Sequence, residues 1–546
     1  MTVLPGWTFA DVWEAVADRF PDEPAQIGGG TATTWRAFDR RADGIAAALL
    51  GAGLGRQAKV AQFLYNGPEY LESVHAAFKA GLVPVNTNYR YTGGELAYLW
   101  DNADVEAVVF HGDLAAQCEE VRHRLGRVRL WLWVDVGTGP CPPWAVPYAQ
   151  AAESAPGDGP TRAPWGRSGD DLLLLYTGGT TGQPKGVMWP QDTLFRMLEE
   201  LNGRAPGAVA DPAARAAALD RPGPRVLPAP PLMHGTALWF AIPALSQGGC
   251  VVTCPDRHFD PARLLDTVVE QQVKGLCLVG DAFGRPLADA LDAEPGRWDL
   301  SGLRVLFSSG VMFADATKAR LLAHAPRALV VDSLGTSESG GLGRSLTGGV
   351  DGDGGAAAAT AAFTVGPTTR VVGDDGRDVV PGAGQRGRLA VSGHIPAGYY
   401  GDPDKTAETF LTLDGVVHVV AGDWAEVEAD GTIRLLGRGS VCINTGGEKV
   451  YPEEVEEAVK RVAGVRDAVV VGVPDERFGE IVTAVVEPVA GATVDPAAVT
   501  SEVRRTLAGY KVPRRVVVGP IGRAPNGKAD YRRLRDTAIA AALSTD

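Results

Sequence analysis

The chain has 546 residues, 45% hydrophobic and 22% charged; that balance excludes a wholly disordered or fibrous protein and fits three or four units of roughly 150 residues. A formal charge of −14 argues against general binding to nucleic acid or anionic membranes, so any anionic substrate must be held by local positive groups against the global field. Six Cys are too few for a secreted disulfide scaffold, the N-terminus lacks a basic-then-apolar signal, and no apolar run approaches the ~18 residues of a spanning helix, so a cytoplasmic protein is expected.

Residues 9–50 read as helical pieces with a turn at Gly28-Gly29-Gly30. A β-like run at Lys59–Leu64, a helical run at Glu69–Lys79 stopping at Gly81, and a short apolar strand at Leu82–Val85 follow. Apolar runs recur at 106–110, 130–134, 249–253, 275–279, 304–307 and 328–332. Short buried strands alternating with helices predict a parallel, helix-covered sheet. Residues 136–165, 203–224 and 339–362 read as loops, the last a low-complexity Gly/Ala/Asp stretch. Past Ala362, runs at 388–392, 416–420 and 433–436 predict a β-rich subdomain. Pro452 followed by Glu453 and Glu454 marks a helix start, because Pro suits the first helical position and carboxylates favour the positive helix end. A strand at 467–473 and a helix near 495–507 complete an α+β unit. The expected fold class is therefore α/β: a large N-terminal domain (1–437) of helix-covered parallel sheets plus the β-rich subdomain, then a smaller mobile α+β C-terminal domain (438–546).

The strongest chemical signal is the run from Leu172 to Val187. An apolar strand leads into a loop with Gly178, Gly179, Gly182 and Gly186, the hydroxyls of Thr177, Thr180 and Thr181, and Lys185. Glycines let successive N–H groups converge on an anion, and hydroxyls and an ammonium complete a phosphate cradle. A flexible surface turn is the bland alternative, and the density of hydroxyls after a buried strand disfavours it. Gly522 to Lys528 has Walker spacing, but Ala529 stands where a hydroxyl is needed and Pro525 removes an N–H; taken alone, Lys528 reads as a solvated lysine on a turn. Cys250, Cys254 and His258 match no common zinc spacing and read as structural.

Tyr176–Gly186 resembles the phosphate loop of the adenylate-forming superfamily of acyl-CoA synthetases, luciferases and peptide-synthetase adenylation domains. Other segments match that family in order: Asp332 to Glu338, Ala421-Gly422-Asp423, Gly437-Arg438, Gly446 to Pro452, and Pro525 to Lys528, with Phe78 to Asn86 a weaker marker. The resemblance implies that Thr177, Gly178, Gly179, Thr180, Thr181, Gly182 and Lys185 hold the ATP phosphates. It implies that Asp332, Ser333, Leu334, Gly335, Thr336 and Ser337 line the adenine site. Glu338 takes Mg²⁺, Asp423 and Arg438 take the ribose, and Lys528 bridges the acid carboxylate and α-phosphate. Thr177, Glu338 and Lys528 are the expected catalytic residues. His234, Gly280, Asp281 and Gly310 are expected at the acyl site, a satisfied core histidine being the alternative for His234, and Gly446 and Gly447 beside CoA. Leu334 departs from the tyrosine usual at its position, and Ser337 from threonine.

The implied reaction is ATP-dependent conversion of a hydrophobic carboxylic acid to acyl-AMP with pyrophosphate release, then transfer to CoA. The hinge sequence, with Val279 to Phe283, resembles an actinobacterial subgroup of fatty-acid and steroid side-chain CoA ligases. The implied cofactors are ATP, Mg²⁺ and CoA; no nucleic-acid partner or transmembrane segment is expected, and a homodimer is allowed for. Rival readings are an acyl-AMP ligase feeding a carrier protein, a luciferase-like oxygenase, and a nucleotide-binding module without catalysis.

Overall fold

Buried apolar runs set the architecture. In the computed structural model, residues 6–543 are described except 92, 156, 158, 178–182, 205–210, 255, 312, 349–361, 439–442, 446–447, 476–477, 508 and 525–526. Among the described residues, strands form three sheets. The first has seven strands, spatially ordered Val146–Pro147, Leu130–Val134, Val105–His111, Lys59–Phe63, Val83–Asn86, Leu172–Thr177 and Lys185–Pro190. All neighbours are parallel except the last pair, a hairpin whose register sets Thr177 opposite Lys185. Val83–Asn86 is buried throughout, as expected of a parallel strand covered on both faces.

The second sheet is the largest. Its parallel part runs through Pro24–Gly28, Cys250–Thr253, Arg225–Pro228, Gly275–Leu278, Val305–Ser309 and Leu329–Leu334. The β-rich segment past Ala362 does not form a free-standing sheet. It continues the same sheet by antiparallel pairing, through Gly343–Gly348 and Ala362–Val365 to Ile433–Arg438, Asp423–Val427 and Arg386–Val391.

Three expectations change. The Gly28-Gly29-Gly30 turn closes a β-hairpin, Pro24–Gly28 with Thr31–Thr34, between two helices. Gly29 and Gly30 take φ of +55° and +79°, which only glycine adopts at no steric cost, and such a turn lets strands return on themselves. Part of the low-complexity stretch is ordered as the strand Gly343–Gly348, paired with Leu329–Leu334 along its length. The other two stretches read as loops contain helices, Tyr148–Glu153 in 136–165 and Pro212–Ala217 in 203–224.

The C-terminal sheet centres on the hairpin Val465–Asp475 with Gly479–Pro488. Side chains alternate across it. Ala468, Val470, Val482, Ala484 and Val486 pack under Val455, Ala458 and Val459 of the helix Pro452–Lys460. Val469, Val471, Val473 and Val485 pack against Leu534 and Ala538 of the helix Tyr531–Leu543. Valine suits both demands, being β-branched and small enough to pack flat on a pleated face.

Candidate active site

Strand ends of the two large sheets and the C-terminal unit converge on one cleft lined by Thr177, His234, Gly310, Asp332 to Glu338, Asp423, Gly527 and Lys528. Ligands in open α/β sheets bind at the carboxyl ends of parallel strands, where chain direction switches.

Glu338 stands just past the strand Leu329–Leu334. It is buried, and one carboxylate oxygen accepts a 2.8 Å hydrogen bond from the Tyr399 hydroxyl, which fixes its orientation. Its N–H donates to Thr336 Oγ1 at 3.2 Å, while Ser337 O accepts from the Trp189 indole at 3.0 Å. The Thr336–Gly340 turn folds so tightly that a Cβ on Gly335 would lie 2.0 Å from Gly340 O. Gly335 is therefore needed for close backbone approach.

Asp332 is buried and meets Lys318 Nζ at 3.0 Å. Lys318 is itself buried, 3.3 Å from Asp315. Burial pushes the Asp332 carboxyl up and the Lys318 ammonium pulls it back. Leu334 is half-buried, lines the cleft and packs on the core beneath the antiparallel strands.

Lys185, expected on phosphates, pairs with Asp402 at 2.8 Å and lies 5.8 Å from the Tyr399 ring centre. Residues 178–182, the heart of the expected phosphate cradle, lie outside the described residues, as do Gly446 and Gly447 of the expected CoA loop. Asp423 is buried on the strand opposite Arg438 in register.

Lys528 reaches the cleft because the C-terminal loop docks on the large sheet. A Cβ on Gly527 would stand 2.9 Å from Val279 and 3.1 Å from Ala282. Arg523 braces the loop, bonding Asp467 at 2.6 Å and Gly527 O at 3.0 Å. Arg285 donates to Arg466 O across the same junction. Lys528 lies near enough to His234 to perturb it: burial first, then Lys528 and Arg90, push the imidazole down to about 4. His234 is therefore neutral at pH 7 and able to donate and accept. It precedes the helix Gly235–Leu245, whose Trp239 packs edge-on to Trp189 and whose Phe240 stacks on Phe307.

Gly280 starts the helix Gly280–Ala293 and donates to Ser308 Oγ at 2.9 Å. Asp281, expected at the acyl site, lines the cleft but is engaged by Arg285 at 3.1 Å and by the Ala314 N–H at 3.1 Å. Gly310, at φ +91°, leaves a gap in which a Cβ would lie 3.6 Å from Thr236 Oγ1 and 3.9 Å from Val279.

Sequence reasoning missed Tyr399, Asp402, Lys318 and Arg90. Each acts through a partner remote in sequence, as Tyr399 does through Glu338, 61 residues away, and no local spacing signals such a pair. Among the described residues no group of three or more His, Cys, Asp or Glu could hold a metal ion. One oriented carboxylate suits a hard divalent ion that keeps most of its ligands as water and phosphate oxygens. No helix among the described residues is long and apolar enough to cross a membrane.

The family model for AMP-binding enzymes matches residues 13–400, and that for the AMP-binding enzyme C-terminal domain matches 454–528. A medium/long-chain-fatty-acid/3-oxocholest-4-en-26-oate CoA ligase of Mycolicibacterium smegmatis is 40% identical, over 96% of this chain and 96% of the relative. A 3-oxocholest-4-en-26-oate CoA ligase of Rhodococcus rhodochrous is 38% identical, over 96% and 95%. The ATP-bound structure of MatB from Rhodopseudomonas palustris superposes with a TM-score of 0.80 at 26% identity, over 97% of this chain and 99% of that one. With a shared cleft, a docked C-terminal lysine and relatives matched end to end, the chain belongs to the AMP-binding enzyme family of adenylate-forming ligases.

Proposed function

We propose that this enzyme activates a hydrophobic carboxylic acid of the medium- to long-chain fatty or steroid side-chain type with ATP, and passes the acyl group from acyl-AMP to the thiol of CoA. The observation that carries the reading is that Lys528, from the C-terminal unit, lines the same cleft as His234 and Glu338. The substrate class draws on the names of the relatives at 40% and 38% identity.

The chemistry explains the layout. The acid carboxylate must attack the α-phosphate, and both are anionic. Unit charges at 4 Å repel by about 1 kcal/mol in water and by several-fold more where water is excluded. A cation placed where the two meet lowers that barrier without reorganisation. Lys528 supplies it, and neutral His234 adds no competing charge. Oxygen attacks phosphorus, the bond to the pyrophosphate oxygen breaks, and pyrophosphate leaves. Thr177 and the glycine-rich segment after it would hold the leaving group, with Lys185 exchanging Asp402 for a phosphate. Glu338, steadied by Tyr399, would hold Mg²⁺, which neutralises phosphate charge when bound. Asp423 would accept from the ribose hydroxyls. In the second half-reaction the CoA thiol attacks the acyl carbon and AMP leaves; the C-terminal unit, taken as residues 438–546, would turn about its junction at Gly437 to bring Gly446 and Gly447 to the pantetheine arm.

The test is a panel of carboxylic acids assayed for pyrophosphate release, then for AMP and thioester on adding CoA. Release with hydrophobic acids and CoA-dependent turnover is expected. AMP that forms only with a carrier protein would move the reading to an acyl-AMP ligase, and light emission or O₂ uptake to an oxygenase.

A further inference from the structure

The segment Pro228-Ala229-Pro230-Pro231-Leu232-Met233 carries His234 into the cleft and contains three prolines. Proline has no N–H, so three of these six residues offer no backbone donor; beyond Ala229 N–H to Cys277 O at 3.1 Å and His234 N–H to Pro231 O at 3.0 Å, the carbonyls of Pro228, Pro230 and Met233 need donors from elsewhere. Two asparagines of the first sheet supply them. Asn66, between the strand Lys59–Phe63 and the helix Pro68–Lys79, donates Nδ2 to Pro228 O at 3.3 Å and Pro230 O at 3.0 Å. Its Oδ1 accepts from the Leu232 N–H at 2.7 Å. Asn86, which ends the strand Val83–Asn86 and is buried, donates Nδ2 to Met233 O at 2.6 Å. The same amide grips the strand before the glycine-rich loop: Oδ1 accepts from the Tyr176 N–H at 2.6 Å and Nδ2 donates to Tyr176 O at 2.9 Å.

The backbone ladder between those two strands is a single pair, Val85 with Leu174. The Asn86 side chain extends it by one peptide-like unit where main-chain pairing has stopped. We propose that Asn66 and Asn86 form a two-asparagine staple that positions the catalytic cleft across the boundary between the two large sheets. Asn86 sets the root of the phosphate-binding loop relative to His234, and Asn66 holds the turn that delivers His234. Both act through the backbone they hold, as positioning residues. The inference rests on the functional reading above and adds the groups that hold two halves of that site in register.

The chemistry of the amide makes the test specific. Asn86→Asp keeps volume and the acceptor for Tyr176 N–H but turns the donor toward two carbonyl oxygens into a third acceptor. Asn86→Ser is the second variant, smaller and uncharged. Full-length protein is assayed for pyrophosphate release from a hydrophobic acid and, separately, for thioester formation from supplied acyl-AMP and CoA, with thermal melting as the control for folding. A misplaced reacting group costs up to about a hundredfold in rate. Both Asn86 variants are therefore expected to lose about tenfold or more in pyrophosphate release, with loss in the thioester step under about threefold. Asn66→Asp, which touches only the His234 turn, is expected to raise KM for the acid and leave KM for ATP within about twofold. Parental kinetics in all variants, equal loss in both half-reactions, or failure of both Asn86 variants to fold would each overturn the staple. If the parent itself releases no pyrophosphate from any acid, the functional reading falls instead.

Discussion

At the scale of single residues, the cleft works by neutralising charge and leaving space. In the proposed reaction Lys528, which lines the cleft, would meet the carboxylate and α-phosphate, and the thioester step would no longer need it, because the acyl carbon is already activated. Lys528→Ala is expected to reduce pyrophosphate release by about 10²- to 10³-fold, with conversion of supplied acyl-AMP to thioester retained; stopped-flow assays of the two halves check this. Gly310 sits at φ +91° with Thr236 and Val279 facing the space where its Cβ would be. Gly310→Ala adds strain of about 1–2 kcal/mol and narrows that gap. The expected result is a larger rise in KM for a branched or ring-bearing acid than for a short straight one, read from parallel steady-state curves. Gly310 was legible in the sequence as a small residue after a buried strand; what it faces was not.

At the scale of elements, the N-terminal helices are held by charge as well as by packing. Lys79, at the end of the helix Pro68–Lys79, is fully buried, with Nζ 2.8 Å from Glu14, 2.8 Å from Asp39 and 3.0 Å from Asp43. Arg167 and Arg162 close on Glu14 from the loop side, at 2.6 Å each. Burial alone would push the Glu14 carboxyl up, but hydrogen bonds from Arg167 and Arg162 hold it well below the usual range. A carboxyl depressed in the folded state stabilises fully above its unfolded pKa and loses that contribution as pH falls through the folded value, so the Glu14 contribution is complete at neutral pH and declines once pH drops below the ordinary value of 4.5. Removing one member of a buried ion cluster strands the others and costs about 3–5 kcal/mol. Lys79→Met is therefore expected to lower the first denaturant midpoint markedly at neutral pH, measured by tryptophan fluorescence. The helix holding Lys79 was plain from its spacing. Its three carboxylate partners, on two other helices, were not, because nothing local records which helices meet.

At the scale of the whole molecule, the C-terminal unit docks by burying carboxyl groups against the N-terminal cleft. Glu453, on the helix Pro452–Lys460, packs on Gly437, where a Cβ would lie 2.0 Å from its carboxylate. Burial first, then Glu456, Asp423 and Glu454, push the Glu453 carboxyl up to about 8. Burial pushes Glu457 up to about 7, with Asp315 adding to it while Arg461, Lys460 and Lys318 oppose. A raised carboxyl favours the docked form below its ordinary value near 4.5, and that support fades as pH rises through about 8. Docking in this orientation is therefore expected to loosen progressively between about pH 4.5 and 8, followed by energy transfer between dyes on the two units. Glu453→Gln should flatten the profile; an unchanged slope would remove Glu453 from the explanation.

The sequence alone determined the alternation of strand and helix, the parallel character of the first sheet and the ordered motifs around Thr177, Glu338, Asp423 and Lys528, because hydrophobic period, turn chemistry and motif spacing are local properties. The tertiary structure decided the rest. It joined the late β-strands to the edge of the large sheet, turned Lys185 to Asp402, set Tyr399 on Glu338 and Lys318 on Asp332, and brought Lys528 into the cleft that His234 lines. Contacts between residues far apart in the chain arise from how sheets abut and domains dock, and the energy that selects them comes from burial and charge pairing across surfaces that no short stretch of sequence contains.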